Sequence, residues 1–140
     1  LAIQKPSGFF EGWHGDSPFG ALLWAFYLSR GTYIEPWRED VSVGAVPTGN
    51  GLLVCLAADK DWRGRLCFDH PRHRDYLNMA MDYPRINGFP EWFTAKTGAS
   101  YGVRIGDAAQ MRTFRPEDLI RGVDVAVTGG KPLYLTVEQK

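Results

Sequence analysis

The pattern of apolar residues divides the chain into one apolar helix followed by several short segments with the character of β-strands. Between Pro18 and Arg30, apolar side chains recur at helical spacing and occupy both faces of the predicted helix. Ser17 before Pro18 is typical of a helix start, and Gly31 is typical of a helix end. A helix that is apolar all round is normally buried all round, so we expect this helix to be covered on every side.

A small β domain can cover only one side of such a helix, so the other side requires a further contact. This predicts docking on the remainder of a larger polypeptide or on a second subunit. The predicted contact residues are Phe19, Leu22, Leu23, Trp24, Phe26 and Leu28. The alternative is a central helix wrapped by the rest of this chain, but few other helical segments are available to enclose it. The chain also begins at Leu1 rather than at a methionine, which favours a fragment of a longer protein.

Beyond residue 40 the pattern changes to alternation and short apolar runs, which predicts strands. The predicted strands are Val41–Val46, Leu52–Ala57, Arg65–Asp69, Tyr76–Met81, Tyr101–Ile105, Val123–Val127 and Leu133–Val137. The turn residues of Pro47–Gly51 and Thr128–Pro132 predict antiparallel hairpins at these two places. Residues Arg115–Gly122 are predicted to form one helical turn or a tight loop.

The predicted fold class is mainly β, an antiparallel β-sandwich-like domain with one buried N-terminal α-helix. Residues 1–31 form a loop and the apolar helix, and residues 32–140 form the antiparallel β domain. If Leu52–Ala57 and Arg65–Asp69 pair as a hairpin, Cys55 falls opposite Cys67. Two free thiols and a cross-strand disulfide are then the alternatives.

Composition limits the kind of partner that the chain can attract. It has 140 residues, of which 44% are hydrophobic, and its 16 basic and 16 acidic residues give a net charge of zero. We therefore expect one compact domain with no nucleic-acid partner and no membrane partner. No apolar run is long enough to span a bilayer, which predicts a soluble chain. Its location stays open, with a periplasmic or secreted larger precursor as one alternative.

The loop before the helix carries the first candidate catalytic residues, Glu11, His14 and Asp16. His14 with either carboxylate could form a general acid–base pair, and the nearby helix N-terminus favours an anionic group. The alternative is structural, with Asp16 or Ser17 capping the helix and His14 packed beside Trp13.

The second candidate region is the aromatic and arginine-rich segment Asp61–Phe93. Its candidate substrate-binding residues are Trp62, Arg72, His73, Arg85 and Trp92. Tryptophans can stack on sugar rings and arginines can bind carboxylates, although both also serve at the seams between domains. His70 and His73 flank Pro71, which separates them on a regular strand or helix, so we expect no metal site and no cofactor.

The order of elements resembles the end of bacterial (α/α)-toroid carbohydrate enzymes. The resemblance rests on Gly8–Glu11, on the helix Ala21–Gly31, and on strands that include Gly51–Val54, Arg65–Asp69 and Leu133–Glu138. In those enzymes the last toroid helix leads into a C-terminal antiparallel β-sandwich, and the catalytic residues lie in the toroid cleft. The resemblance implies an accessory domain of a glycoside hydrolase or polysaccharide lyase that is not catalytically complete alone, with a polysaccharide as a possible ligand.

Two other functions remain as alternatives. One is a small stand-alone hydrolase or lyase that uses His14 or His73 as the base, Asp16 or Asp69 as its partner, and Arg85 to hold a substrate carboxylate. The other is a non-enzymatic oligomeric binding module in which the apolar helix forms the subunit interface.

Overall fold

The computed structural model describes residues 16–76, 78–80 and 91–140, with backbone only for residues 16–19. In chain order, its elements are α1 (Asp16–Ser29), β1 (Tyr33–Glu35), β2 (Val41–Thr48), β3 (Gly51–Ala58), β4 (Trp62–Cys67), α2 (Arg72–Asp75), β5 (Tyr101–Ile105), β6 (Arg112–Phe114), α3 (Pro116–Arg121), β7 (Val123–Val127) and β8 (Leu133–Gln139).

Two antiparallel sheets pack face to face, which confirms the predicted β-sandwich. One sheet has the strand order β1-β4-β7, and the other has the order β2-β3-β8-β5-β6. Alternation along β3 shows how the sequence builds the core: Leu52, Val54 and Leu56 are buried between the sheets. The opposite layer supplies the buried side chains of Trp62, Leu66, Val123, Val125 and Val127.

The predicted hairpin at Pro47–Gly51 is confirmed, because β2 and β3 pair from Val41 with Ala58 to Thr48 with Gly51. The predicted hairpin between β3 and β4 is wrong. Strand β3 pairs with β2 and β8, whereas β4 pairs with β1 and β7 in the other sheet. The chain changes sheets after Ala58, where the carboxylate of Asp40 accepts hydrogen bonds from the backbone N–H groups of Asp59 and Lys60.

The predicted hairpin between β7 and β8 is wrong for the same reason, since the two strands lie in different sheets. The two cysteines are separated in the same way. Cys55 pairs with Gly44 and Tyr134 in the five-stranded sheet, whereas Cys67 pairs with Tyr33 in the three-stranded sheet. Both are free thiols, so the disulfide alternative is excluded.

The two helical predictions are confirmed with small shifts of their ends. Helix α1 begins at Asp16, which places Ser17 inside the helix rather than at the predicted cap. It ends at Ser29, one residue before the predicted end. Gly31 follows as the predicted stop, since its φ of +79° suits glycine and its N–H donates to the carbonyl of Phe26 at 3.1 Å. Arg115–Gly122 contains α3. Within Tyr76–Met81 the described residues form no strand, and Leu77 and Met81 lie outside the described residues.

Helix α1 contacts β2, an edge strand of the five-stranded sheet. Its other side is not covered by the described residues. Leu22, Trp24 and Leu28 are 46%, 48% and 46% exposed, respectively. The helix is therefore not enclosed by the rest of the described chain, and the predicted burial on every side requires a contact beyond it.

Candidate functional site

The candidate site is a cluster of charged side chains where α2 meets the segment of residues 91–97. We call it the polar cluster, and its members are Asp69, His70, Arg72, His73, Arg74, Asp75 and Glu91. The two segments are joined by backbone contacts. Asp69 bridges to Thr94, and the N–H of Ala95 donates to the carbonyl of Asp69 at 3.0 Å.

His73 and Glu91 form the most enclosed pair of the polar cluster. The Glu91 side chain is 2% exposed, and its carboxylate lies 2.9 and 3.0 Å from Nδ1 of His73. The same carboxylate accepts the backbone N–H of His73 at 2.6 Å. Because an ionised carboxylate only accepts hydrogen bonds, these distances assign a ring proton to Nδ1, so that in the neutral imidazole the lone pair lies on Nε2. His73 is therefore oriented as a base or a ligand, with Glu91 as its positioning residue.

Asp69 is held in a second buried interaction. It accepts hydrogen bonds from Nε of Arg72 at 3.1 Å and from the backbone N–H of His70 at 2.9 Å. Burial raises the pKa of the Asp69 carboxyl, and the Arg72 guanidinium opposes that change. Asp69 thus ties the end of the β4 segment to α2.

The outer part of the polar cluster is more exposed. Nδ1 of His70 lies 3.2 Å from Asp75, and Nε of Arg74 donates to the same carboxylate at 2.7 Å. The hydrogen bond from Arg74, followed by that from His70, lowers the pKa of Asp75. Exposed pairs of this kind contribute little to stability, so their role is to set the charge of the surface.

Aromatic side chains link the polar cluster to the C-terminal half of α1. Trp92 meets Tyr27 in a T-shaped contact with 5.3 Å between ring centroids, and the guanidinium of Arg30 lies 5.4 Å from the Trp92 ring. The guanidinium of Arg72 lies 5.7 Å from the ring of Phe26. The exposed helix and the polar cluster therefore belong to one continuous surface.

The structure brings together three of the five predicted binding residues, namely Arg72, His73 and Trp92. Trp62 is 4% exposed in the core, so its ring is not available for stacking on a sugar. Arg85 lies outside the described residues. The predicted catalytic residues Glu11 and His14 also lie outside them.

Asp16 begins α1, but its side chain is not described, so a His14–Asp16 pair stays a prediction. The predicted pairing of His73 with Asp69 is wrong, because Asp69 binds Arg72 and His73 binds Glu91. Glu91 was not predicted as a site residue. It lies 18 positions from His73, and only its position beside Trp92 in the aromatic segment pointed to it.

A groove adjoins the polar cluster on the far side of Glu91. It has a volume of about 370 Å³ and lies between the β2–β3 turn, the segment of residues 91–96 and the end of β8. Its lining side chains include Trp92, Lys96 and Gln139. This groove, which we call the Trp92 groove, could take a small polar ligand.

Comparison of the chain with protein-family models, curated proteins and solved structures gave no match. In the described ranges, no three His, Cys, Asp or Glu side chains are placed to hold a metal ion. None of the helices among the described residues has the length and apolar character needed to cross a membrane.

Proposed function

We propose that the chain is the accessory C-terminal β domain of a bacterial polysaccharide-processing enzyme, a glycoside hydrolase or polysaccharide lyase, and that it is not catalytically complete alone. The observation that carries this proposal is the apolar surface of α1. Leu22, Trp24 and Leu28 remain about half exposed on a domain whose sandwich core is otherwise closed.

An apolar surface of this kind normally marks a contact with another protein surface. Full burial of a large apolar side chain is worth about 1.5–3 kcal/mol, so covering the exposed halves of three such residues adds about 2–4 kcal/mol. A groove of about 620 Å³ between α1, Trp37 and β2 extends the same surface. A helical neighbour that packed on α1 would fill this groove and complete its burial.

The position of the polar cluster supports the carbohydrate part of the proposal. Trp92 and Arg72 both contact α1, so side chains suited to sugars and carboxylates adjoin the surface on which the rest of the enzyme would pack. A substrate held between the two parts could then contact both of them.

The test uses the purified chain and a double variant in which Leu22 and Leu28 are replaced by serine. The native chain should bind a hydrophobic dye and associate weakly in light scattering, and the variant should lose both properties while keeping its unfolding transition. A matched control is Ile120→Ser, which changes a partly buried apolar residue of α3. A native chain that is strictly monomeric and binds no dye would contradict the proposal, and a stable dimer would instead favour the oligomeric module.

The His73–Glu91 pair favours a second candidate function, a small hydrolase or lyase with His73 as general base. The buried carboxylate holds the ring through Nδ1, so that Nε2 of the neutral imidazole is the atom that would accept a proton in general-base catalysis. Turnover of a polysaccharide by the chain alone, lost in His73→Ala and kept in His70→Ala, would establish this function. Turnover that survives His73→Ala would reject it.

A further inference from the structure

We propose that the Trp92 groove binds a sugar ring that carries a carboxylate, such as a uronate unit of an acidic polysaccharide. The choice of a saccharide rests on the proposed function, whereas the choice of a carboxylate rests on the groove itself. The groove is lined by the β2–β3 turn residues Pro47–Gly51, by Glu91–Thr94 and Lys96, and by Gln139.

The exposed charged side chain of the groove is Lys96, among the residues that the structure describes. The described lining has two ionisable residues, Glu91 and Lys96. The Glu91 side chain is 2% exposed and both of its oxygens face His73, so they are not placed to contact a ligand directly. Lys96 is exposed, and its ammonium has no ion-pair partner within the described part of the chain. A carboxylate in the groove would therefore form its charge-assisted hydrogen bond with Lys96.

Trp92 supplies a surface for stacking. It is 38% exposed, and its other contacts are with Tyr27 and Arg30, which hold the indole in place from the side of α1. The C–H face of a pyranose ring packs well on an indole, and a fixed indole loses little conformational entropy when the sugar binds.

The remaining wall of the groove can bind hydroxyl groups. Asn50 and Gln139 fix it, since Nδ2 of Asn50 donates to the Gln139 carbonyl at 2.6 Å and the N–H of Gln139 donates to the Asn50 carbonyl at 3.1 Å. The Thr48 hydroxyl and the Gln139 side-chain amide have no hydrogen-bond partner among the described residues. A volume of about 370 Å³ is enough for about one or two sugar rings.

The experiment is calorimetric titration of the whole chain at low ionic strength with trigalacturonate, and with maltotriose as the neutral trisaccharide. We expect trigalacturonate to bind and maltotriose to bind at least about tenfold more weakly. Lys96→Gln should weaken trigalacturonate binding about tenfold, the effect expected for a lost charge-assisted hydrogen bond. Trp92→Ala should weaken binding of either sugar by a similar factor.

Lys131→Gln and Trp37→Ala are the matched controls. Lys131 is exposed in the turn before β8, and Trp37 is the most exposed tryptophan of the described residues. Both should leave the affinity within about twofold of the native value. Lys96 is a surface residue, so its variant should fold even if Trp92→Ala does not.

The outcomes separate the two parts of the argument. Equal binding of the two trisaccharides would contradict the inferred preference for a carboxylate and would leave the accessory carbohydrate function standing. Glutarate is a dicarboxylate without a sugar ring, so equal binding of glutarate would contradict the inferred preference for a saccharide. Absence of trigalacturonate binding in the millimolar range, or an unchanged affinity in Lys96→Gln, would overturn the proposal. The dye and light-scattering test of α1 does not depend on any of these results.

Discussion

The buried carboxylate of Glu91 is the side chain whose removal should affect the polar cluster most. It lies on a segment far in sequence from α2 and holds that helix through the backbone N–H and the ring Nδ1 of His73. Glu91→Ala removes both acceptors and leaves the two donors of His73 without the carboxylate. Glu91→Gln keeps one carbonyl oxygen but places an NH₂ group against a donor.

The magnitude follows from these contacts. Hydrogen bonds to a charged group contribute about 1.5–3 kcal/mol each, and two such donors lose their acceptor in Glu91→Ala. The imidazole of His73 is 20% exposed and can regain water, which reduces the loss. We therefore expect destabilisation by about 2–4 kcal/mol for Glu91→Ala and by about 1–2 kcal/mol for Glu91→Gln.

The assay is equilibrium unfolding in urea, with the slope of the transition checked for constancy between variants. Glu117→Gln is the control, since Glu117 is an exposed glutamate on α3. It should change the free energy of unfolding by less than about 0.5 kcal/mol. If Glu91→Ala were as stable as this control, the contact between Glu91 and His73 would have no structural role, and the orientation assigned to His73 would lose its basis.

Three further predictions test other parts of the fold. Burial raises the pKa of the Asp69 carboxyl, so the folded protein binds the carboxyl proton more tightly than the unfolded chain does. The free energy of unfolding should therefore fall as pH rises through the pKa of Asp69 in the folded protein. In urea unfolding at pH values from about 4 upward, Asp69→Asn should therefore gain stability relative to the native protein as pH increases, and a relative loss would contradict this cause. Gly31→Ala should lower the free energy of unfolding by about 1–2 kcal/mol, because φ is +79° and the new Cβ would lie 3.1 Å from Cβ of Asp69. Gly20→Ala, on the open side of α1, should instead stabilise by about 0.5–1 kcal/mol, and equal effects of the two substitutions would refute this account. A thiol reagent should modify Cys55 before Cys67, because Cys67 is buried and burial raises the pKa of its thiol. When the protein is unfolded without reductant, the reagent should titrate two thiols, and a count below two would contradict the absence of a disulfide.

Local patterns predicted most of the elements, because each is determined by nearby residues. The apolar run and Gly31 define α1 to within two residues at its start and one at its end. The short apolar run Leu52–Ala57 predicted β3, and the turn residues before it predicted its pairing with β2. The short strands β1 and β6 were not predicted, since three residues carry too little periodicity.

Strand pairing across the sandwich could not be predicted from the same patterns. A polar turn between two strands has the same composition whether the chain returns in one sheet or crosses to the other. This is why Val123–Val127 and Leu133–Val137 were paired wrongly, although both strands exist. Their true partners, β4 for the first and β3 with β5 for the second, are distant in sequence.

The sequence predicted the segment that holds the candidate site, but not which of its side chains meet, because those contacts depend on the tertiary fold. The segment Asp61–Phe93 contains the polar cluster residues of α2 as well as Glu91 and Trp92. Composition could not show that Trp62 points into the core while Trp92 stays exposed. Nor could spacing show that Glu91, rather than Asp69, is the partner of His73.

We propose that α1 packs on a further part of a larger polypeptide. The most direct measurement is amide hydrogen exchange of residues 20–29 in this chain alone and in the full product of its gene. The account predicts slow exchange of α1 in the full product, together with loss of dye binding at Leu22, Trp24 and Leu28, and faster exchange in the isolated chain. Equal exchange and equal dye binding in the two proteins would contradict it.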